Sequence, residues 1–383
     1  MYQAYIVYFV LLFLLLLLAI KHGFGLSNET LRDKNNYFII SNISIVLFSL
    51  IIGLRFYVGG DYPGYFDDFN YFVKFEIPFT DSRYGLGYYG LMSFLKLLGL
   101  SYPFLFISIA FLQILFIYRW ASLNKFLLPW VIFFYFTSLY LFESMNIMRQ
   151  AIAFSIILFS IKYIYKSEKL KFLIALLLAS SFHRSAIAFA PFYFFLEINW
   201  IRNKYIQMAL LISAFSSVKF IFIEFFNQVS VIALALDYES YSKITPDLFL
   251  EVDTSGFGLG LYFILIIDLI IIYYSDKLKK VFREYNFISY YNMFLIGALF
   301  TPVTSTTNSI VLYRFMFYFS SFRFIILSFL CYYLFSINKS TRNKFFGYLI
   351  TVSFLFWFII AINKGAAWSS PFQFIFQDFS PNR

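Results

Sequence analysis

Apolar runs recur along the whole chain, separated by short polar stretches. Crossing hydrocarbon takes a helix of about 20 mostly apolar residues, with about 17 the short end. Windows of that kind lie at 4–20, 37–54, 103–118, 126–142, 150–165, 205–222, 257–274, 286–301, 312–336 and 344–362. The stretch 170–198 is interrupted at Ser180-Ser181-Phe182-His183-Arg184-Ser185 and reads as two short helices meeting at a polar break. All of these must be helical, because a lipid-exposed backbone finds no water for its amides. The expectation is an all-α polytopic membrane protein of about twelve spans, one integral membrane domain over 1–383. Residues 1–20 lack a basic leading region and a small-residue cleavage site, and Lys21 follows directly. They are expected to be the first permanent helix rather than a signal peptide.

Composition narrows the class. Hydrophobic residues make up 61% of the chain, aromatic ones 25% and charged ones only 13%. A cytosolic enzyme, a disordered chain or a repeat solenoid cannot bury that much apolar surface. One cysteine, Cys331, excludes a disulfide framework and a cysteine zinc site, and two histidines, His22 and His183, exclude a histidine-rich centre. No metal is expected. The net charge of +10 would suggest nucleic acid in a soluble protein. Here the charges fall in turns between apolar runs, so their sign reports topology.

Basic clusters occupy turns of one parity: Lys21/Arg32/Lys34, Arg119/Lys125, Lys162/Lys166/Lys169/Lys171, Arg202/Lys204, Lys277/Lys279/Lys280/Arg283 and Lys339/Arg342/Lys344. These turns are expected to face the cytoplasm. The opposite parity holds Asp61, Asp67, Asp68, Glu76 and Asp81, then Asp237, Glu239, Asp247, Glu251 and Asp253. The outer loops are therefore about 55–102 and 223–256. Parity fails if 84–98 crosses, and that segment is short, glycine-rich and carries Lys96. It reads as an outer interfacial or re-entrant helix. A true span there, with another lost elsewhere, is the alternative.

Several polar residues stand where lipid or a helix end makes them costly. Arg55 follows a span, and Asp61 follows a glycine pair that permits a tight turn. Snorkelling and turn chemistry are their plain explanations. Arg149 opens an apolar helix, against the macrodipole, where a guanidinium beside helix-start amides suits a phosphate. An ion pair with Glu143 is the structural alternative. His183 and Arg184 sit in the broken stretch, and such breaks usually line a cavity. Arg314 and Arg323 lie in an apolar run and need pairing, water or ligand. Arg55, Arg149, Arg184 and Arg314 share the outer ends of spans, which calls for an anionic partner such as a lipid diphosphate. Weaker signals are the nucleotide-loop look-alike Gly256-Phe257-Gly258-Leu259-Gly260, the pair Asp67-Asp68, and Asp268 within a span, a proton-relay residue or simply a hydrogen-bonded carboxyl.

Arg55-Phe56-Tyr57-Val58-Gly59-Gly60-Asp61-Tyr62, Asn146-Ile147-Met148-Arg149-Gln150, Phe182-His183-Arg184-Ser185-Ala186, Tyr313-Arg314-Phe315 and Tyr318-Phe319 occur in that order. The set resembles the EpsG-type branch of the Wzy-like polysaccharide polymerases over nearly the whole chain. The resemblance implies a glutamate before the interfacial helix in many relatives, where this chain has Ser82-Arg83-Tyr84, with Asp81 close by. The resemblance implies a GT-C-like glycosyltransferase of the bacterial inner membrane, with its active site on the periplasmic face. Its substrates would be oligosaccharide repeats on undecaprenyl diphosphate, joined by displacement of the diphosphate. The expected catalytic residues are Asp61, His183 and Arg149. The expected substrate-binding residues are Arg55, Tyr65, Gln150, Arg184, Arg314 and Tyr318. The lipid diphosphate bond supplies the energy, so no cofactor is expected. A flippase and a chain-length regulator are expected partners, and nucleic acid is not. The rival readings are a lipid-linked oligosaccharide flippase, an O-antigen ligase with the same donor, and an ion-coupled transporter that rests on Asp268 alone.

Overall fold

The computed structural model describes residues 1–23, 31–75, 77–79, 84–216, 258–306, 310–338 and 340–377. Among them the chain is helical apart from turns, irregular segments and a single β-bridge between Arg55 and Phe374. Two compact units form, Met1–Phe195 with Cys331–Arg383, and Leu196–Leu330. The first unit starts with α1 (Tyr2–Gly23), α2 (Leu31–Gly53), α3 (Tyr62–Lys74), α4 (Leu86–Leu97) and α5 (Tyr102–Ala121). It continues with α6 (Leu128–Thr137), α7 (Tyr140–Asn146), α8 (Met148–Tyr165) and α9 (Lys169–Phe182). The second unit is helical over 204–216 and holds α10 (Leu259–Val281), α11 (Phe287–Thr306), α12 (Ile310–Ser320) and most of α13 (Phe322–Tyr332). Helix α14 (Thr341–Asn363) belongs again to the first.

Six helices among the described residues are long and apolar enough to cross a membrane, and a bent pair makes up to seven. The protein is a multi-pass membrane protein. The expected twelve spans are not all reached by this measure, for local reasons. The apolar part of α2 is only Tyr37–Gly53, and α8 is diluted by Arg149, Gln150, Ser155, Ser160 and Lys162. The stretch 170–198 divides as expected at His183, whose backbone is extended between α9 and a 3-10 helix over Arg184–Tyr193. The remainder of 205–222 and the loop 223–256 lie outside the described residues.

One expected span is bent. The window 126–142 is not a straight helix: α6 and α7 meet at Ser138-Leu139 with a bend of 63°. Thr137 Oγ1 donates back to Phe133 O at 2.9 Å and Ser138 Oγ to Phe134 O at 2.6 Å. Such back-bonding offers the carbonyls an alternative to the helix ladder, and Leu139 then turns left-handed at φ 68°. The bend carries Asn146 and the start of α8 to the loop that precedes α3.

Helix α4 has twelve residues, too few for a span, as expected for 84–98. Its lysine has a structural use: Lys96 Nζ donates to Phe72 O and Phe75 O at 3.2 and 3.3 Å, closing the carbonyl end of α3. Helix α3 lies within the expected outer loop 55–102. Its buried stripe, Tyr62, Tyr65, Phe69 and Phe72, has the spacing of one helix face, and Tyr62 stacks on Phe106 of α5 with centroids 4.1 Å apart.

In the second unit the charge on Arg323 is answered by Asp268, which is 0% exposed. Arg323 Nε and Nη2 donate to the two Asp268 oxygens at 2.8 and 2.9 Å, and Nη2 also reaches Thr301 Oγ1 at 2.9 Å. One guanidinium thus ties α10, α11 and α13 together, and Asp268 is half of an ion pair rather than an open relay. Removing one partner of a buried pair costs about 3–5 kcal/mol, whereas replacing both by apolar side chains is far milder. Asp268→Ala should therefore lower the thermal midpoint of the purified protein sharply, and Asp268→Leu with Arg323→Met should restore most of it. An unchanged midpoint in Asp268→Ala would refute the clamp.

Candidate functional site

Arg55 is 1% exposed. Its Nε donates to Val58 O at 3.0 Å and Nη1 to Ile52 O at 2.8 Å. Nη2 reaches Met145 O at 3.1 Å and Met148 Sδ at 3.0 Å. The faces of Tyr62 and Phe106 lie 5.7 and 5.3 Å from the guanidinium carbon. Burial pulls the group down to about 10, still protonated at neutral pH. The expectation that Arg55 binds substrate is corrected: its donors are spent on the loop and on the α7–α8 junction.

That junction shapes the rest. Asn146 accepts from Gly60 N and donates to Ala367 O at 2.9 Å. Gly59, at φ +106°, donates from its N–H to Trp368 O at 3.0 Å. A side chain on Gly60 would lie 3.0 Å from the Trp368 indole, so the loop lies directly on the indole. Phe56 N donates to Gln373 O at 2.8 Å and Ile375 N to Leu54 O at 3.1 Å. The C-terminal segment is thus strapped to the loop immediately before Asp61. Asp61, half-buried, precedes α3, and its carbonyl accepts from Tyr65 N at 3.2 Å one turn on.

Arg149, half-buried at the start of α8, lies among three tyrosines. Tyr65, Tyr84 and Tyr88 present their rings at 5.7, 5.1 and 5.4 Å from its guanidinium carbon. Its Nε donates to Tyr65 Oη at 3.4 Å. Among the described residues no carboxylate pairs with it, so the alternative ion pair with Glu143 is not formed. Aromatic faces favour the cation without neutralising it. The cage therefore orients a fork of donors whose charge is not cancelled by an acid.

The start of α4, which supplies Tyr84 and Tyr88, rests on the end of α9. A Cβ on Gly85 would collide with the backbone oxygen of Ser181, and one on Gly87 would press on the Ser181 hydroxyl. At Gly85 only glycine allows that approach. Two residues after Ser181 comes His183, whose Nδ1 is 2.7 Å from Ser185 Oγ, which fixes the ring. Arg184 beside it is exposed, and Gln150 is buried next to Arg149. The structure thus gathers Tyr65 and Arg149 directly, with Asp61 one turn from Tyr65 and His183 past the α4–α9 contact. Arg314, half-buried, and Tyr318, buried, lie one turn apart on α12 in the second unit. Asp81, Ser82 and Arg83 lie outside the described residues. No group of three or more His, Cys, Asp or Glu among the described residues is arranged to hold a metal, Asp67-Asp68 included.

Sequence reading missed Tyr84, Tyr88 and Trp368, and gave Asn146 no role beyond its place in a motif. Tyrosines are so common in this chain that two more carried no signal. Trp368 is 74% exposed, and both it and Ala367 have positive φ, a conformation invisible in the sequence.

A family model described as the EpsG family matches residues 38–374. The chain belongs to the EpsG family. No curated protein and no solved structure matches it. EpsG membership is associated with polysaccharide polymerase and glycosyltransferase activity, and the matched span takes in Arg55, the Arg149 cage, the His183 break and Trp368.

The two arginines of this EpsG protein should separate in their phenotypes. Arg55→Ala leaves buried carbonyls without donors, at about 1–3 kcal/mol for each, and should lower the thermal midpoint and membrane level. Arg149→Ala, at a half-buried position with no ion pair among the described residues, should change the midpoint much less. Equal midpoint losses in the two variants would contradict this division.

Proposed function

We propose that this protein joins oligosaccharide repeats carried on undecaprenyl diphosphate, as a Wzy-like polymerase of the bacterial inner membrane. The observation that carries the reading is the Arg149 guanidinium, oriented by three tyrosines and balanced by no acid among the described residues. An acceptor hydroxyl attacks the anomeric carbon of the lipid-linked chain, the carbon–oxygen bond to the diphosphate breaks, and the diphosphate leaves with the electron pair. Charge grows on the diphosphate as that bond breaks, and a forked donor suits two of its oxygens at once. The hydroxyl proton passes to Asp61 or His183. Tyr65 and Gln150 beside Arg149, Arg184 at the helix break, and Arg314 with Tyr318 are assigned to substrate binding. The proposed architecture is GT-C-like with about twelve spans, the site facing the periplasm. A flippase would deliver the repeats, and a chain-length regulator would act with it.

The test is complementation of a deletion strain, read as the length of surface polysaccharide on gels, with membrane levels checked by blot. Losing one such donor costs about 10²–10³ in turnover, so Arg149→Ala should leave single repeats. Arg149→Lys, which keeps the charge and loses the fork, should be strongly impaired. Asp61→Asn should match Asp61→Ala if the carboxylate is the base, and His183→Ala should abolish polymer if the imidazole is. Wild-type length from Arg149→Ala would end the diphosphate-clamp reading, and full-length polymer from both the Asp61 and His183 variants would end the assignment of the base.

Orientation is checked separately. A cysteine replacing Asp67 should react with a membrane-impermeant thiol reagent in intact spheroplasts, and one replacing Lys279 should not. Labelling at 279 alone would reverse the topology.

A further inference from the structure

Helices α2 and α5 run antiparallel: Gly53 lies against Ile107 at one end, and the Tyr37 phenol donates to Tyr118 O at 3.0 Å at the other. Between them, at the Tyr37 end, is a cavity of about 310 Å³ lined by Tyr37, Ser41, Asn42, Arg119, Ser122 and Lys125, with Phe38 and Ile45 on its apolar side. The rise of a helix puts this cavity about 24 Å along α2 from Gly53 and the Arg55–Asp61 loop. It therefore lies at the opposite end of α2 from the loop that meets the α7–α8 junction.

The polar lining converges on one chemistry. Lys125 Nζ is held 4.8 Å from the Tyr37 ring centroid. Arg119 is exposed and forms no ion pair with a described carboxylate. The Asn42 carboxamide makes no hydrogen bond among the described residues. The hydroxyls of Ser41 and Ser122 are turned onto Phe38 O and Arg119 O, at 3.0 and 2.7 Å. An arginine, a lysine and an asparagine thus line one small space, side chains whose donors suit a phosphate oxyanion. The surrounding field has the same sign: Lys162 is within electrostatic reach of Arg119, Lys166 and Lys171, and Glu168 is bonded to Lys171. Positive charge placed only for topology needs no cavity. On the apolar side, Phe38, Ile39, Ile43, Val46 and Leu50 of α2 are exposed and offer a path for acyl chains toward the bilayer centre.

We propose that this cavity binds the headgroup phosphate of an anionic glycerophospholipid, one leaflet away from the candidate active site. Basic pockets between helices at the cytoplasmic membrane edge suit such headgroups. The test uses the full-length protein, delipidated in neutral detergent. Thermal midpoint and bound lipid by native mass spectrometry are measured with phosphatidylglycerol, with phosphatidylcholine and with inorganic phosphate. Phosphatidylglycerol should raise the midpoint and stay bound, while phosphatidylcholine and phosphate alone should do neither. Losing charged hydrogen bonds should weaken phosphatidylglycerol binding by about tenfold or more in Arg119→Ala/Lys125→Ala. Asn42→Asp, nearly unchanged in shape, should weaken it too by placing a carboxylate in the cavity, and serves if the double variant fails to fold. Phosphatidylglycerol binding undiminished in Asn42→Asp, or equal stabilisation by phosphatidylcholine or by inorganic phosphate, would overturn the proposal.

Discussion

A guanidinium enclosed in protein must find an acceptor for nearly every N–H, and in the first unit Arg55 imposes that requirement on everything around it. Its acceptors are carbonyls of the α2 end, of its own loop and of the α7–α8 junction. Satisfying them fixes where the loop before Asp61 runs. The same junction carries Asn146, which holds Gly60 and the C-terminal segment, and three residues later Arg149. The candidate site is therefore positioned by a charge that takes no part in it.

Three arginines show three answers to the cost of a cation among apolar helices. Arg55 is matched by carbonyl dipoles, and Arg323 by the Asp268 carboxylate. Arg149 is matched by aromatic faces, Tyr65, Tyr84 and Tyr88. The first two consume the hydrogen-bonding capacity of the group. The third leaves most of it, because a ring face attracts the charge and accepts few N–H bonds. That difference separates a structural arginine from one suited to receive an anion.

The proposed chemistry and the proposed lipid site occupy opposite ends of α2. One end leads through Gly53 into the Arg55–Asp61 loop, and the other forms the Tyr37–Lys125 cavity. A rigid helix would carry each to its own membrane surface. Positive charge at the Tyr37 end is clustered around Arg119, Lys125 and Lys162. The two sites would thus meet different phosphates.

Much was legible in the sequence because the bilayer is a simple solvent: apolar runs must be helices, and charges must avoid its centre. The helical, multi-pass character, the short helix within 84–98 and the break at His183 all follow from that constraint, and the ordered motifs pointed to the family. Tertiary structure decided what each polar residue does. Arg55 and Arg149 both stand at the ends of apolar segments, yet one is walled in by carbonyls and the other by rings contributed from 65, 84 and 88. The 63° bend between α6 and α7 has no Gly or Pro to announce it, only hydroxyls that donate back to their own turn. The strap of the C-terminal segment against residues 54–59 joins positions some three hundred apart. Local pattern reports what a residue costs in lipid, but which partner meets that cost depends on chain-distant groups that only folding brings together.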